Sequence, residues 1–234
     1  MSPRRVGVLG GMGPEATILL MQKLVAAVPA SDDGDHVPLI VDQNPQVPSR
    51  IAHLIAGTGE SPAPVLAAMA ARLERAGAEA LAMPCNTAHH YADAIRQAVD
   101  IPFLDMVALS AEHAAALVPQ GGRIGVLGSP ALRQTALFDG PFAARGLTAV
   151  YPADETATLA AIREIKKSGP GDGVRAQVSA MARSLAEQNV AAIMVACTEF
   201  SLLIDSLAAE LPVFDTLDCL ADAVLSFADP ARKL

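Results

Sequence analysis

Met83-Pro84-Cys85-Asn86-Thr87-Ala88-His89, entered from the apolar run Ala80-Leu81-Ala82, decides the fold of this chain. Ile193-Met194-Val195-Ala196-Cys197-Thr198-Glu199 repeats the same grammar. Each reads as a short apolar strand, buried on both faces, that stops at a cysteine followed by small hydroxyl or amide side chains. Open α/β sheets bind ligands beyond the carboxyl ends of their parallel strands. The two thiols are therefore expected to face each other across one small-molecule site.

Outward from these stretches, the first half alternates strands and helices. Val6 to Leu9 is an apolar strand, Gly10-Gly11-Met12-Gly13-Pro14 a turn, and Glu15 to Val28 a helix that Pro14 suits as first residue. Val37 to Val41 reads as a strand, although Pro38 limits its pairing. Asp42 to Arg50, with two prolines, reads as an extended loop over the ligand-binding end. A helix from Ala63 to Ala76 stops at Gly77. The Cys85 strand, a helix from Ala88 to Val99 and a strand at Ile101-Pro102-Phe103-Leu104 follow. Strands separated by helices in this way imply βαβ units and a parallel sheet.

The pattern then restarts. Gly122-Arg123-Ile124-Gly125-Val126-Leu127-Gly128-Ser129-Pro130 echoes Val6 to Pro14, and Leu147 to Val150 is a strand. Helices are expected at Glu155 to Lys167 and Asp172 to Gln188. Leu211-Pro212-Val213-Phe214-Asp215 matches Ile101-Pro102-Phe103-Leu104-Asp105 position for position, at nearly the separation that divides the two cysteines. The expected fold is α/β: two similar small domains, each a parallel sheet of about four strands flanked by helices, related by a pseudo-twofold duplication. The boundary falls between Val107 and Gly121. One larger doubly wound sheet remains open as the alternative.

Composition narrows the function. The 234 residues are 52% hydrophobic, enough for a substantial core, and carry a formal net charge of −8 with scattered basic residues. That balance argues against nucleic acid or an anionic membrane as partner, so an anionic substrate must be held by local charges. No 18-residue apolar run suggests a membrane span, and the Met1 to Arg5 start leads straight into a strand rather than a leader peptide. Three cysteines without a C-x-x-C pair disfavour a disulfide framework or a zinc site, and the reducing cytoplasm is the expected compartment.

Two readings compete for the glycine turn. Gly11-x-Gly13-x-x-Ala16, with Asp42 ending the next strand, satisfies a dinucleotide fingerprint. The other reading is a carboxylate cradle in which backbone N–H groups at Gly11 and Met12 meet an anion at a helix N-terminus. Cys85 and Cys197, at equivalent positions, are read as reactive thiols, whereas Cys219 reads as an inert helix-face residue. Asn86, Thr87 and Thr198 are candidates to orient a carboxylate or to cap the following helices. Arg50 is a candidate bidentate clamp. Glu199 receives an ammonium group or caps a helix, and His89 is expected to back Cys85. His36, His53, His90 and His113 have no metal-ligand spacing.

The glycine turn, the Pro-Cys-Asn-Thr-Ala-His segment and Ala196-Cys197-Thr198-Glu199 together resemble the cofactor-independent aspartate/glutamate racemase family, its aspartate branch most closely. The resemblance covers essentially the whole chain. It implies two facing α/β domains with the last helix, Leu217 to Ala228, returning to the first, hence domains 1–106 with 216–234 and 107–215. It implies Cys85 and Cys197 as acid and base, Arg50 and the Lys166 of Ile162 to Lys166 as substrate-binding cations, no cofactor or metal, and a homodimer. Many relatives have Tyr where this chain has Arg163, and Lys167 competes with Lys166 for its role.

Such a reaction removes the α-proton on one face and returns a proton on the other, so it suits two groups that titrate near neutrality, one thiolate and one thiol. Aspartate is the expected substrate, with glutamate or a wider amino-acid range as the alternative. A non-catalytic amino-acid-binding domain is the rival from another class.

Overall fold

The computed structural model describes residues 3–207 and 210–231. The chain divides into two compact units: the described residues up to Met106 together with those from Leu217 onward, and Val107–Thr216.

The first unit is built on a parallel sheet of β1 (Val6–Gly10), β2 (Leu39–Gln43), β3 (Ala80–Ala82) and β4 (Phe103–Leu104), in the order β2-β1-β3-β4. Helix α1 (Pro14–Ala26) follows β1, and α2 (Arg50–Leu54) and α3 (Ala63–Arg75) follow β2. On α3, Leu66, Met69, Ala70 and Leu73 recur at helical spacing and are buried, packing on Leu9 and Leu81 of the sheet. Each of the leucine and methionine side chains contributes about 2 kcal/mol through burial.

Three local expectations change. The second strand starts at Leu39 rather than Val37, because Pro38 has no N–H to give the ladder; its carbonyl instead accepts the Val6 N–H (3.1 Å). Arg50 is not in an extended loop but opens α2, where Ser49 Oγ accepts the Ala52 N–H. The helix expected from Ala88 to Val99 is a 3₁₀ turn, Thr87–Tyr91, followed by the short α4 (Ala92–Arg96). The Cys85 carbonyl, which an α-helix would give to the His89 N–H, is taken by the His89 ring; that N–H turns back to Asn86 O in a 3₁₀ bond.

The second unit repeats the plan. Helix α5 (Met106–Leu117) leads into β5 (Arg123–Gly128), and then come α6 (Pro130–Gln134), α7 (Asp139–Ala143), β6 (Thr148–Val150), α8 (Glu155–Ser168), α9 (Asp172–Ala186), β7 (Ala192–Ala196), α10 (Thr198–Ser201) and β8 (Val213–Asp215). The sheet order β6-β5-β7-β8 is that of the first unit, again all parallel. The two small helices between β5 and β6 have too few turns for a periodic apolar pattern, and sequence reasoning did not find them. The core lies between the sheet and α8 and α9, with Ile162, Ile165, Val178 and Leu185 packed against Leu127, Ile193 and Val195.

Helix α11 (Thr216–Ala228) ends the described fold and is tied to the first unit. The Arg4 N–H donates to Ala228 O (2.8 Å), Lys23 pairs with Asp218 (2.5 Å), and the Arg4 guanidinium lies 3.8 Å from the Phe227 ring centroid. Among the described residues no helix is long and apolar enough to cross a membrane.

Candidate active site

In a sheet ordered 2-1-3-4 the connections leave the first and third strands in opposite directions. The crevice beyond their carboxyl ends is the topological switch point. In the first unit the segments that flank it are the glycine turn after β1 and Cys85 after β3. In the second unit they are Gly128-Ser129 and Cys197, whose neighbours Gly128 and Ala196 are register partners. Both cysteines therefore hold the same place in their own sheets.

Around Cys85 the turns after the first three strands meet. Met12, Val47, Cys85, Ala88 and Tyr91 belong to one buried cluster. Gly11 sits at φ +92° with its α-carbon against the Asn44 backbone: a Cβ there would lie 2.4 Å from the Asn44 carbonyl carbon. Only glycine fits. Its N–H donates to the buried Thr17 Oγ1 (3.0 Å). Met12 is a buried core side chain.

Arg50 donates from one guanidinium nitrogen to the carbonyls of Val47 (3.2 Å) and Pro48 (2.8 Å). Among the described residues it has no carboxylate partner, so the proline loop aims a cation whose other N–H groups keep their capacity. Asn86 is buried, Thr87 half-buried, and the Asn86 side chain makes no capping bond to the turn that follows. Asp42, the acidic residue of the dinucleotide reading, is engaged by Arg72 at 2.7 Å.

Around Cys197 the arrangement is ionic. The thiol donates to Glu199 Oε2 (3.0 Å), and Glu199 Oε1 receives Lys166 Nζ from α8 (2.5 Å). Burial pushes the Cys197 thiol well up; the Glu199 carboxylate adds to this by its charge and its hydrogen bond, while Lys166 and the Glu199 N–H act against it. Lys166, rather than Lys167, is thus the lysine at this site. Thr198 is buried at the start of α10, and Cys197, the residue in the cap position, makes no side-chain cap bond.

The structure adds residues that the sequence reading passed over. Tyr91 is buried with its hydroxyl lacking a hydrogen-bond partner among the described residues; burial raises its pKa and the Arg50 charge works against that. In the second unit a shallow recess beyond β5 and β6 is lined by Ser129, Arg133, Tyr151, Glu155 and Thr158 among others. The repeat of the glycine turn at Gly128-Ser129-Pro130 was the available signal for Ser129; Tyr151 had none. Among the described residues no group of three His, Cys, Asp or Glu side chains is placed to hold a metal ion.

Comparison with known proteins agrees with this geometry. A Bacillus subtilis broad-specificity amino-acid racemase, RacX, is 26% identical over 227 residues, 94% of this chain and 96% of that protein. The structure of Picrophilus torridus aspartate racemase superposes with a TM-score of 0.85 at 27% identity, over 96% of this chain and 94% of that one. A Francisella tularensis glutamate racemase bound to D-glutamate shares the fold, with a TM-score of 0.66 at 18% identity over 97% and 81% of the chains. The model of the Asp/Glu/Hydantoin racemase family matches residues 9–224. With a cysteine beside the switch point of each sheet and a family match over nearly its whole length, the chain belongs to the Asp/Glu/Hydantoin racemase family and is a cofactor-independent amino-acid racemase.

Proposed function

We propose that the protein interconverts L- and D-aspartate, with Cys85 and Cys197 as the acid and base on opposite faces of the α-carbon. The observation that supports the aspartate assignment is a cation near the cysteine turn of each unit: Arg50, held by the Val47 and Pro48 carbonyls of its proline loop, and Lys166, bound to Glu199 beside Cys197. A dicarboxylic amino acid presents two anions to such groups, and charge-assisted bonds from Arg are among the stronger polar contacts. The likeness to an aspartate racemase points the same way.

One thiolate removes the α-proton and one thiol protonates the carbanion from the other side. The difficult species carries its charge into the α-carboxylate, and Asn86, Thr87 and Thr198, with the backbone N–H groups after each cysteine, are the donors proposed to stabilise it. Met12 backs the glycine turn rather than donating a side-chain bond. Glu199 takes the substrate ammonium in this scheme, or acts on Cys197 as argued below. A homodimer of the cytoplasm completes the reading, and sedimentation at working concentration tests the dimer.

A broader substrate range is the second reading. It is favoured by the broad-specificity relative and by Arg163, which stands where many relatives have Tyr. A chiral assay over a panel of amino acids, without added cofactor, decides between them. Aspartate turned over at least tenfold faster than glutamate and alanine supports the first reading, and comparable rates support the second. No α-deuterium exchange in heavy water with any amino acid overturns both.

A further inference from the structure

The two cysteines hold equivalent places in their sheets but have different neighbours. Cys85 and Cys197 are almost equally buried, at 7% and 6% exposure. Yet among the described residues no side chain hydrogen-bonds to the Cys85 sulfur, whereas Cys197 donates to Glu199 at 3.0 Å. That carboxylate is itself 8% exposed and is held from behind by Lys166 at 2.5 Å. A thiol facing a carboxylate has an acceptor; a thiolate in the same place has an adjacent like charge and no solvent to screen it.

The charged groups that bear on Cys197 come from two elements. Glu199 lies on its own turn and Lys166 reaches in from α8. The other carboxylate at this edge, Asp215 at the end of β8, accepts from Ser201 Oγ (2.9 Å). Burial and Glu199 act in one direction, and Lys166 moderates them.

We propose that Glu199 is a positioning residue that keeps the proton on Cys197, so that the substrate-free enzyme rests with Cys85 as its base and Cys197 as its acid. Lys166 sets how firmly the proton is held. The assignment of base and acid rests on the two-thiol reading above. The Cys197–Glu199–Lys166 chain does not, because it is a contact within one unit. In the first half-reaction the α-proton passes to the Cys85 sulfur and the Cys197 proton passes to the carbanion. Cys197 is left as thiolate against Glu199, the state this contact disfavours. A substrate carboxylate that draws Lys166 away from Glu199 makes that state less favourable still, so the lysine links occupancy to the resting proton.

The test is alkylation of the full chain by iodoacetamide, followed at each cysteine by mass spectrometry between pH 6 and 10. In the wild type Cys85 reacts faster than Cys197 at pH 7.5. Glu199→Gln keeps the shape and removes the charge, so the midpoint for Cys197 falls and its rate below the midpoint rises about threefold or more, with Cys85 changed less than twofold. Lys166→Met removes the moderating cation and slows Cys197. These opposite signs are what a merely structural role for Glu199 does not produce. An unchanged or slower Cys197 in a folded Glu199→Gln protein overturns the proposal, as does a Cys197 that outpaces Cys85 in the wild type. Should Glu199→Gln not fold, the Lys166→Met arm decides, and a Cys197 rate that is unchanged or faster there overturns it. The expected alkylation pattern in a protein that racemises nothing upholds the proton-holding contact and sinks the activity reading instead.

Discussion

The His89 ring is locked to the backbone of Cys85: its Nδ1 lies 2.8 Å from the Cys85 carbonyl oxygen. The other ring nitrogen, Nε2, accepts the Met106 N–H at 3.1 Å. These two bonds fix one tautomer, with the proton on Nδ1, and leave the imidazole neutral. It holds the turn that carries the cysteine. Burial lowers its pKa, with the Asp105 charge opposing.

His89→Ala therefore removes a donor and an acceptor from a buried place and is expected to cost about 2–4 kcal/mol in urea unfolding. The pH dependence has a definite sign. The neutral ring is favoured in the folded state, so its contribution is complete above the unfolded value of about 6.5 and is lost as pH falls toward the lower folded pKa. Stability of the wild type should decline from pH 7.5 to 5.5, and His89→Gln should flatten that decline.

Replacing either of the two thiols proposed as acid and base is expected to stop catalysis. Cys85→Ser and Cys197→Ser should each lower interconversion by about 10²–10⁴-fold or more, the range for loss of a general acid or base. Cys219→Ser, on α11, should leave the rate within about twofold, since Cys219 lies outside the turns that follow β3 and β7. Retained turnover in the first or second variant rules out the two-thiol scheme.

Arg50→Ala should discriminate among substrates rather than disable the enzyme. Loss of a charge-assisted bond worth about 1.5–3 kcal/mol reduces kcat/KM for aspartate about 10–100-fold relative to alanine. Equal losses for the two amino acids would remove Arg50 from side-chain recognition.

Gly11→Ala tests the close approach of the first two turns. The added methyl meets the Asn44 backbone at 2.4 Å, and the residue must hold φ near +92°. A cost of about 2 kcal/mol or more is expected, read as a lower thermal midpoint. Gly34→Ala, which meets nothing within 4 Å, serves as the control.

The parts of this molecule that sequence alone revealed are those encoded by repetition and by buried apolar runs. The strands at Val6, Ala80, Arg123 and Ala192, the long helices α3, α8 and α9, and the two parallel four-stranded sheets all follow from such patterns, whereas the strand order within each sheet does not. What escaped is set by contacts distant in sequence or by side chains competing with backbone. The 3₁₀ turn after Cys85 exists because an imidazole takes a carbonyl that helix periodicity reserves for an N–H. The Gly11 N–H is claimed by Thr17, a pairing that spacing does not announce. Glu199 and Lys166 are each legible as candidates, but nothing in their sequence positions announces that they bind each other.

The carboxylate at Cys197 has a consequence for how the two enantiomers are handled. Mirror-image amino acids have equal free energy in water, so the ratio kcat/KM must be identical in the two directions at every pH, however unlike the two halves of the enzyme are. The bias that Glu199 imposes is thus invisible in that ratio. It emerges only when kcat and KM are separated, as a direction that binds tightly and turns over slowly set against one that binds loosely and turns over fast.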